Sequence, residues 1–280
     1  MLVSRFEPAH LAAAINAREV TFMVAVPQVY ARLLDHAQGA GLELRRGALR
    51  VLGTGGAPLD PALRARVVET FGLPLSSGYG ATEITPVTRV PDGVDAGGEA
   101  IGEAQPGVEI RLVKEDGTEA APGEVGEIWV RGPSLMAGYY RDPEATAAVM
   151  RPGGWYATGD LGRSDGRGSY SIAGRIKELI IRSGFNVYPV EVEAVLNAHP
   201  AVAQSAVVGR PVAGNEEVVA FVQPAAGRRL EEAELRAYLK ENLAPYKVPT
   251  EIVIAELPIG PTGKILKSAL RDSVAGGGTP

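Results

Sequence analysis

The sequence predicts a multidomain fold of mixed α/β and α+β class, and three observations predict it. Up to Thr85, apolar runs alternate with helical periodicities, and a turn or glycine loop joins each to the next. From Val90 to Ala173 the strands are shorter and glycine turns separate them, which suits a small β-barrel or a distorted sheet. From Gly174 to Glu193 a cationic junction runs through a tight turn into a helix, and a compact α+β pattern follows. The expected partition is an α/β subdomain over 1–95, a β-barrel-like subdomain over 96–175, and a compact α+β domain over 176–280 behind a hinge.

Pro8–Arg18 has helical spacing, with Leu11, Ala14 and Ile15 on one face. Val20–Val26 is a nearly continuous apolar run, as a buried parallel strand requires; Pro27 stops it, and Gln28–Gln38 is helical. Leu49–Leu52 is a second short strand that runs into Gly53-Thr54-Gly55-Gly56-Ala57-Pro58. Asp60 and Pro61 suit the cap and first residue of the next helix. In the middle region, strands are expected at Glu109–Val113, Glu127–Arg131 and Tyr170–Ala173, with turns at Asp116-Gly117 and Pro122-Gly123. At the junction Leu179–Ile181 reads as a strand, Ser183-Gly184 as a turn, and Val190–Ala198 as a helix with Glu191 and Glu193 near its start. Strands at Val202–Val208, Val218–Val222 and Glu251–Ala255, a helix over Leu230–Leu243 and a short helix from about Leu266 complete the pattern.

At 280 residues and 29.3 kDa the chain can bury more than one core. A formal charge of −5 gives no general electrostatic case for nucleic acid or an anionic membrane. The absence of cysteine excludes disulfides, thiolate catalysis and Cys-zinc sites, and is in keeping with a cytoplasmic protein. No apolar run reaches spanning length, and Arg5, Glu7, Pro8 and His10 do not form a signal peptide.

Four stretches carry candidate chemistry. The loop Gly55-Gly56-Ala57-Pro58 lets backbone approach a flat or anionic ligand, but it fits neither glycine fingerprint for nucleotides, and such a turn taken alone is more often structural. In Leu75–Thr85, Gly78 and Gly80 flank Tyr79, Thr82 offers a hydroxyl to a phosphate, and Glu83 offers a hard oxygen to Mg²⁺. A hairpin with a capping threonine and a solvated glutamate reads the same way. In Trp155–Gly162, Asp160 lies between Gly159 and Leu161, where a carboxylate held in a turn accepts both hydroxyls of a ribose; an ordinary Asx turn is the alternative. Lys264 follows Pro261-Thr262-Gly263, an anchored position for a compact cation, or for a surface lysine beside Lys267. His10, His36 and His199 show no ligand spacing, and no serine sits in a nucleophile elbow.

The order Tyr79-Gly80-Ala81-Thr82-Glu83, Trp155–Gly162, Gly174–Glu193 and Pro261–Lys264 resembles the AMP-forming acyl-CoA synthetases, within the superfamily of adenylate-forming enzymes. Phe185–Pro189 is similar to the acyl-CoA synthetases more than to peptide-synthetase adenylation domains. The resemblance implies a two-step reaction: a fatty or other carboxylate attacks the α-phosphate of ATP, and coenzyme A then takes the acyl group from acyl-AMP. It implies that Gly55, Gly56, Ala57, Pro58, Gly78, Tyr79 and Gly80 hold adenine, Thr82 contacts the α-phosphate, and Glu83 assists Mg²⁺. It gives ribose to Asp160 and Arg175, the hinge to Lys177, coenzyme A to Ser183, Gly184 and Phe185, and the adenylation step to Lys264. Gly126–Thr146 matches a family segment whose role is expected to be structural.

The family's lysine-containing loop for the β- and γ-phosphates is not found in this sequence. The chain is therefore expected to be the C-terminal half of a synthetase, with a partial first sheet that exposes apolar edges. Expected partners are a small carboxylic acid and either the complementary N-terminal half or a second copy. A non-catalytic remnant that binds nucleotide or a complementary chain, and an adenylation domain with another acceptor, are the alternatives. Acyl chain length has no readable code.

Overall fold

The computed structural model describes residues 6–57, 59, 61–91, 100–225, 227–260 and 264–275. They form two compact units, 1–158 with 162–172, and 159–161 with 173–280.

The first unit opens with α1 (Pro8–Asn16), β1 (Phe22–Ala25), α2 (Pro27–Gly39), β2 (Val51–Gly55), α3 (Pro61–Phe71) and β3 (Leu75–Gly78). The strands are parallel, in the order β1-β2-β3. Crossovers that step in one direction with one hand land on one face. Ala12 and Ile15 of α1, Tyr30 and Leu33 of α2, and Val67 and Phe71 of α3 accordingly join Met23, Leu52 and Leu75 in one core. The Tyr30 hydroxyl is buried 2.9 Å from the Gly53 carbonyl and 3.1 Å from that of Met23, tying α2 across two strands. Leu49, expected in β2, is a core residue just ahead of it. The strand starts at Val51 because the Arg50 and Val51 amides both turn to the Thr21 carbonyl.

A second sheet follows, of which residues 159–161 and 173–175 fall in the second unit. Its strands are β4 (Thr88–Arg89), β5 (Ala100–Ala104), β6 (Glu109–Val113), β7 (Gly126–Arg131), β8 (Met150–Arg151), β9 (Trp155–Ser164) and β10 (Ser169–Arg175), with α4 (Pro143–Val149) between β7 and β8. The path runs β4-β5-β10-β9-β7-β6, with β8 on β9, so the expected barrel is an open half-barrel edged by β4 and β6. Ile84, Val87, Leu112, Ile128, Val130 and Tyr156 fill its core.

The second unit continues with β11 (Ile180–Arg182), β12 (Phe185–Val187), α5 (Pro189–Asn197), β13 (Val202–Val212), β14 (Asn215–Pro224), α6 (Glu232–Asn242), β15 (Glu251–Ile254) and α7 (Lys267–Ala275). β13 and β14 are antiparallel, and β15 joins β14 in parallel. Val207, Val218, Ala220 and Val222 face α5 and α6, whereas Ala206, Val208, Val219 and Phe221 face α7. Both faces are covered, which is why these strands read as nearly continuous apolar runs. Five of the seven described helices start on proline, whose fixed φ and missing N–H suit the first helical position.

Candidate active site

In the first unit, β2 and β3 end side by side, with Gly55 opposite Gly78. Gly56 takes a positive φ of 78°, as the loop after β2 requires; Pro58 lies outside the described residues. Gly78 and Gly80 are needed for a reason the sequence did not reveal. A Cβ on Gly78 would lie 2.5 Å from the Thr88 carbonyl oxygen, and one on Gly80 would lie 2.7 Å from the Thr85 hydroxyl. Tyr79 is fixed between them, its carbonyl accepting from the Val87 and Thr88 amides and its own amide donating to the Thr88 hydroxyl.

Thr82 and Glu83 form the tip of a turn closed by two backbone hydrogen bonds between Ala81 and Ile84. Thr82 is exposed. Glu83 is not a freely solvated carboxylate: its Oε1 accepts from the Tyr139 hydroxyl at 2.8 Å, and its carbonyl accepts from the Met136 amide at 2.7 Å. The Glu83 carboxylate in turn pushes the Tyr139 phenol above its ordinary pKa. Tyr139 is held by its amide, which donates to Thr146 Oγ1 at 2.9 Å, while that hydroxyl donates to the Asp142 carbonyl. Asp142 also caps α4 through the Ala145 amide. Sequence reasoning missed Tyr139; the available signal was an aromatic pair directly ahead of an Asp-Pro helix start.

In the second unit, Asp160 lies within β9, not in a turn. Gly159, with φ of 73°, supplies the left-handed break that the flanking glycine suggested, but it does so inside a strand. Asp160 is buried, and its Oδ1 accepts from Arg175 Nε at 2.6 Å, while Arg175 stays about half exposed, at 48%. The two residues assigned to ribose are thus adjacent.

Lys177 sits in a single 3₁₀ turn, Ile176–Glu178, and its carbonyl accepts from Arg271 of α7 at 3.1 Å. Ser183 and Gly184 have φ of 51° and 81° and form the two-residue connection between β11 and β12. The Ser183 amide donates to Asn215 Oδ1 at 2.6 Å. Phe185 is exposed and stacks on Tyr246 with ring centroids 4.8 Å apart, while Arg182 donates to the carbonyls of Tyr246 and Val248. Arg182 and Tyr246 fasten the hairpin, and neither was singled out from the sequence.

Lys264 is exposed. Its carbonyl accepts from the Gly260 amide at 2.8 Å and the Leu266 amide donates to the Pro258 carbonyl at 2.8 Å, so the lysine leaves a pinned loop stem. Pro261, Thr262 and Gly263 lie outside the described residues.

Among the described residues no group of three acidic or histidine side chains could hold a metal. A lone Glu83 carboxylate fits only an ion such as Mg²⁺ that takes most of its oxygens from phosphates and water. No described helix is long and apolar enough to cross a membrane.

The AMP-binding enzyme family matches residues 1–140, and the AMP-binding enzyme C-terminal domain matches residues 191–264. The chain belongs to the AMP-binding enzyme family. It is 40% identical to a feruloyl-CoA synthase of an Amycolatopsis species over 278 residues, 97% of this chain and 55% of that one. It is 36% identical to a long-chain-fatty-acid–CoA ligase of Salmonella typhimurium, over 91% of this chain and 46% of the other. Among solved structures, ATP-bound MatB from Rhodopseudomonas palustris superposes with a TM-score of 0.87 at 35% identity, covering 98% of this chain and 54% of that one. The chain spans about half the length of the curated relatives it matches.

Proposed function

We propose that these residues serve the ATP-dependent activation of a carboxylic acid to acyl-AMP, followed by acyl transfer to coenzyme A. The observation that carries this reading is the match to both family regions in one chain, in the order that a two-step ligase uses them. Relatives at comparable identity act on a ferulic and on a long-chain fatty acid, so the acid is assigned only as a carboxylic acid.

In the first step a carboxylate oxygen bonds to the α-phosphorus of ATP, and the bond to the bridging oxygen breaks to release pyrophosphate. Thr82 donates its hydroxyl to the α-phosphate. Glu83, aimed by Tyr139, would hold Mg²⁺, which when bound neutralises phosphate charge. Asp160 accepts from the ribose hydroxyls while Arg175, hydrogen-bonded to its Oδ1, keeps it oriented. Lys264 balances the charge of the approaching carboxylate and phosphate. In the second step the coenzyme A thiol gives up its proton to solvent, its sulfur bonds to the acyl carbon, and the bond from that carbon to the phosphate oxygen breaks as AMP leaves. Ser183, Gly184 and Phe185 line the approach of the thiol arm, and Lys177 is the pivot between the steps.

The test uses a single polypeptide that joins this chain to the part of the feruloyl-CoA synthase that it does not match. Acid-dependent pyrophosphate release and thioester formation are both expected from it, and from the 280-residue chain alone little or none of either. Robust release by the chain alone, or none from the joined enzyme, would count against the reading. In the joined enzyme Asp160→Ala should lower kcat/KM for ATP about 10- to 100-fold, the cost of leaving buried polar groups unpaired. Unchanged ATP kinetics would remove the ribose assignment. Tyr139→Phe should raise the Mg²⁺ concentration needed for half-maximal rate by about 10-fold, as loss of a group orienting a metal ligand does. An unchanged Mg²⁺ response with altered stability would make Tyr139 structural only.

A further inference from the structure

The tip between β11 and β12 is held in a conformation that its own residues do not favour. Gly184 takes a positive φ freely, but Ser183 is not glycine and its φ is 51°. A non-glycine residue keeps a left-handed conformation only where its surroundings fix it. Arg182 pairs with Phe185 across the two-residue tip, so the Ile181 amide points away from β12, to the outer edge of β11. Among the described strands, β11 pairs with β12 alone.

Two side chains from the start of β14 do the work of a strand on that outer edge. The Ile181 amide donates to Glu216 Oε2 at 2.6 Å, and the Ser183 amide donates to Asn215 Oδ1 at 2.6 Å. Asn215 Nδ2 lies 3.5 Å from Ser183 Oγ, so one carboxamide meets both polar groups of the serine. Asn215 is itself placed by a tight connection. It opens β14 opposite Val212, across Ala213-Gly214, where Gly214 has φ of 69°. A Cβ on Gly209 would lie 3.1 Å from Glu216 Oε1, so glycine at that point of β13 leaves room for the Glu216 side chain. Elsewhere on the hairpin Arg182 grips the carbonyls of Tyr246 and Val248. The sequence gives no sign of this clasp, because Asn215 meets Ser183 across 32 positions.

We infer that Asn215 is a positioning residue for acyl transfer: its carboxamide holds the Ser183-Gly184 connection in the shape that admits the thiol arm of coenzyme A. This rests on the assignment of Ser183, Gly184 and Phe185 to coenzyme A, and adds a residue outside that set. An asparagine can accept from the serine amide and donate to its hydroxyl, an aspartate offers the acceptor alone, and an alanine offers neither. Asn215 is partly exposed and belongs to neither core of the second unit, so replacing it leaves the packing untouched.

The experiment compares Asn215→Ala, Asn215→Asp and Gly184→Leu in the joined enzyme, with each half-reaction assayed separately. Amide exchange at Ser183 is followed by NMR in the full 280-residue chain. In Asn215→Ala that exchange should accelerate about 3- to 10-fold, the scale of one hydrogen bond. With supplied acyl-AMP, kcat/KM for coenzyme A should fall by a similar factor, through KM, while acyl-AMP formation from ATP is unchanged. Asn215→Asp should recover most of both losses. Unchanged exchange at Ser183, faster exchange with unchanged coenzyme A kinetics, or equal loss in both half-reactions would each overturn the inference. If Gly184→Leu also spares the coenzyme A step, the assignment of the hairpin falls and the role of Asn215 with it. If Gly184→Leu impairs that step and Asn215→Ala does not, only the role of Asn215 falls.

Discussion

Lys267→Met is expected to destabilise the second unit by about 3–5 kcal/mol, the usual cost of removing one member of a buried ion cluster. Lys267 Nζ lies 2.8 Å from Glu193 Oε1 and 3.1 Å from Glu178 Oε2, and all three side chains are largely buried. Glu193 is further tied to the sheet, accepting from the Val207 amide at 2.7 Å. One ammonium therefore joins the 3₁₀ turn at Lys177, helix α5, strand β13 and its own helix α7. Burial pushes the Glu193 carboxyl above its ordinary pKa, with Lys267 opposing that rise. Burial alone would lower the Lys267 ammonium, but Glu193 and then Glu178 outweigh it and hold it above its ordinary value.

The signs fix the pH dependence. Lys267 has a raised folded pKa, so its contribution is complete below the ordinary lysine value of 10.5 and is lost as pH rises through the folded one. Glu193 is also raised, so the fold favours its protonated form, and its contribution fades as pH climbs above its ordinary 4.5. Without the ammonium, the two carboxylates are easier to bury protonated. The deficit of Lys267→Met should therefore be smaller at pH 5 than at pH 8 in urea unfolding followed by circular dichroism. Lys267→Arg should recover part of the loss at both. A deficit under about 1 kcal/mol, or one that grows toward acid, would mean that the cluster is not what holds this corner together.

Much of the fold was legible because local chemistry and global position agree. The run at Val218–Val222 read as a buried strand because helices cover both its faces, whereas Val20–Val26 read the same way although Phe22 and Val24 of β1 are exposed and only Met23 is buried. Ser183-Gly184 read as a turn because a small polar residue followed by glycine suits a tight connection, and both take positive φ there. Other features were legible in kind but not in cause. Gly78 and Gly80 were read as flanking Tyr79 at the adenine site that the resemblance implies, and the chain's own Thr88 and Thr85 add a packing reason for glycine that the sequence does not show. Asp160 was read into a turn from its glycine neighbour, and the break proved to be internal to β9. What stayed hidden depends on long-range pairing. Tyr139 meets Glu83 across 56 positions, and Lys267 meets Glu178 across 89. No periodicity encodes such partners, so an aromatic in a loop and a lysine beside Lys264 looked ordinary.

Lys264→Ala in the joined enzyme is expected to lower acyl-AMP formation about 10²- to 10³-fold, the scale for losing one preorganised charge-stabilising group. It should leave conversion of supplied acyl-AMP and coenzyme A to thioester almost unchanged. The asymmetry follows from charge: carboxylate and α-phosphate meet as two anions in the first step, whereas the second consumes a mixed anhydride. Gly184→Leu should do the reverse. The structure shows no heavy atom within 4 Å of a Cβ at Gly184, so its own unit leaves room for bulk there. Its φ of 81° makes leucine strained by roughly 1–2 kcal/mol, confined to the hairpin tip. Gly184→Asn tolerates that φ and separates strain from obstruction of the thiol arm. Lys177→Pro fixes φ near −65° but keeps the carbonyl that Arg271 binds, so it should adenylate and then stall before thioester. Each half-reaction is measured separately for the four variants. Equal loss of both halves in Lys264→Ala, or loss of neither in Lys177→Pro, would show that one unit does not present Lys264 and the Ser183–Phe185 hairpin in turn.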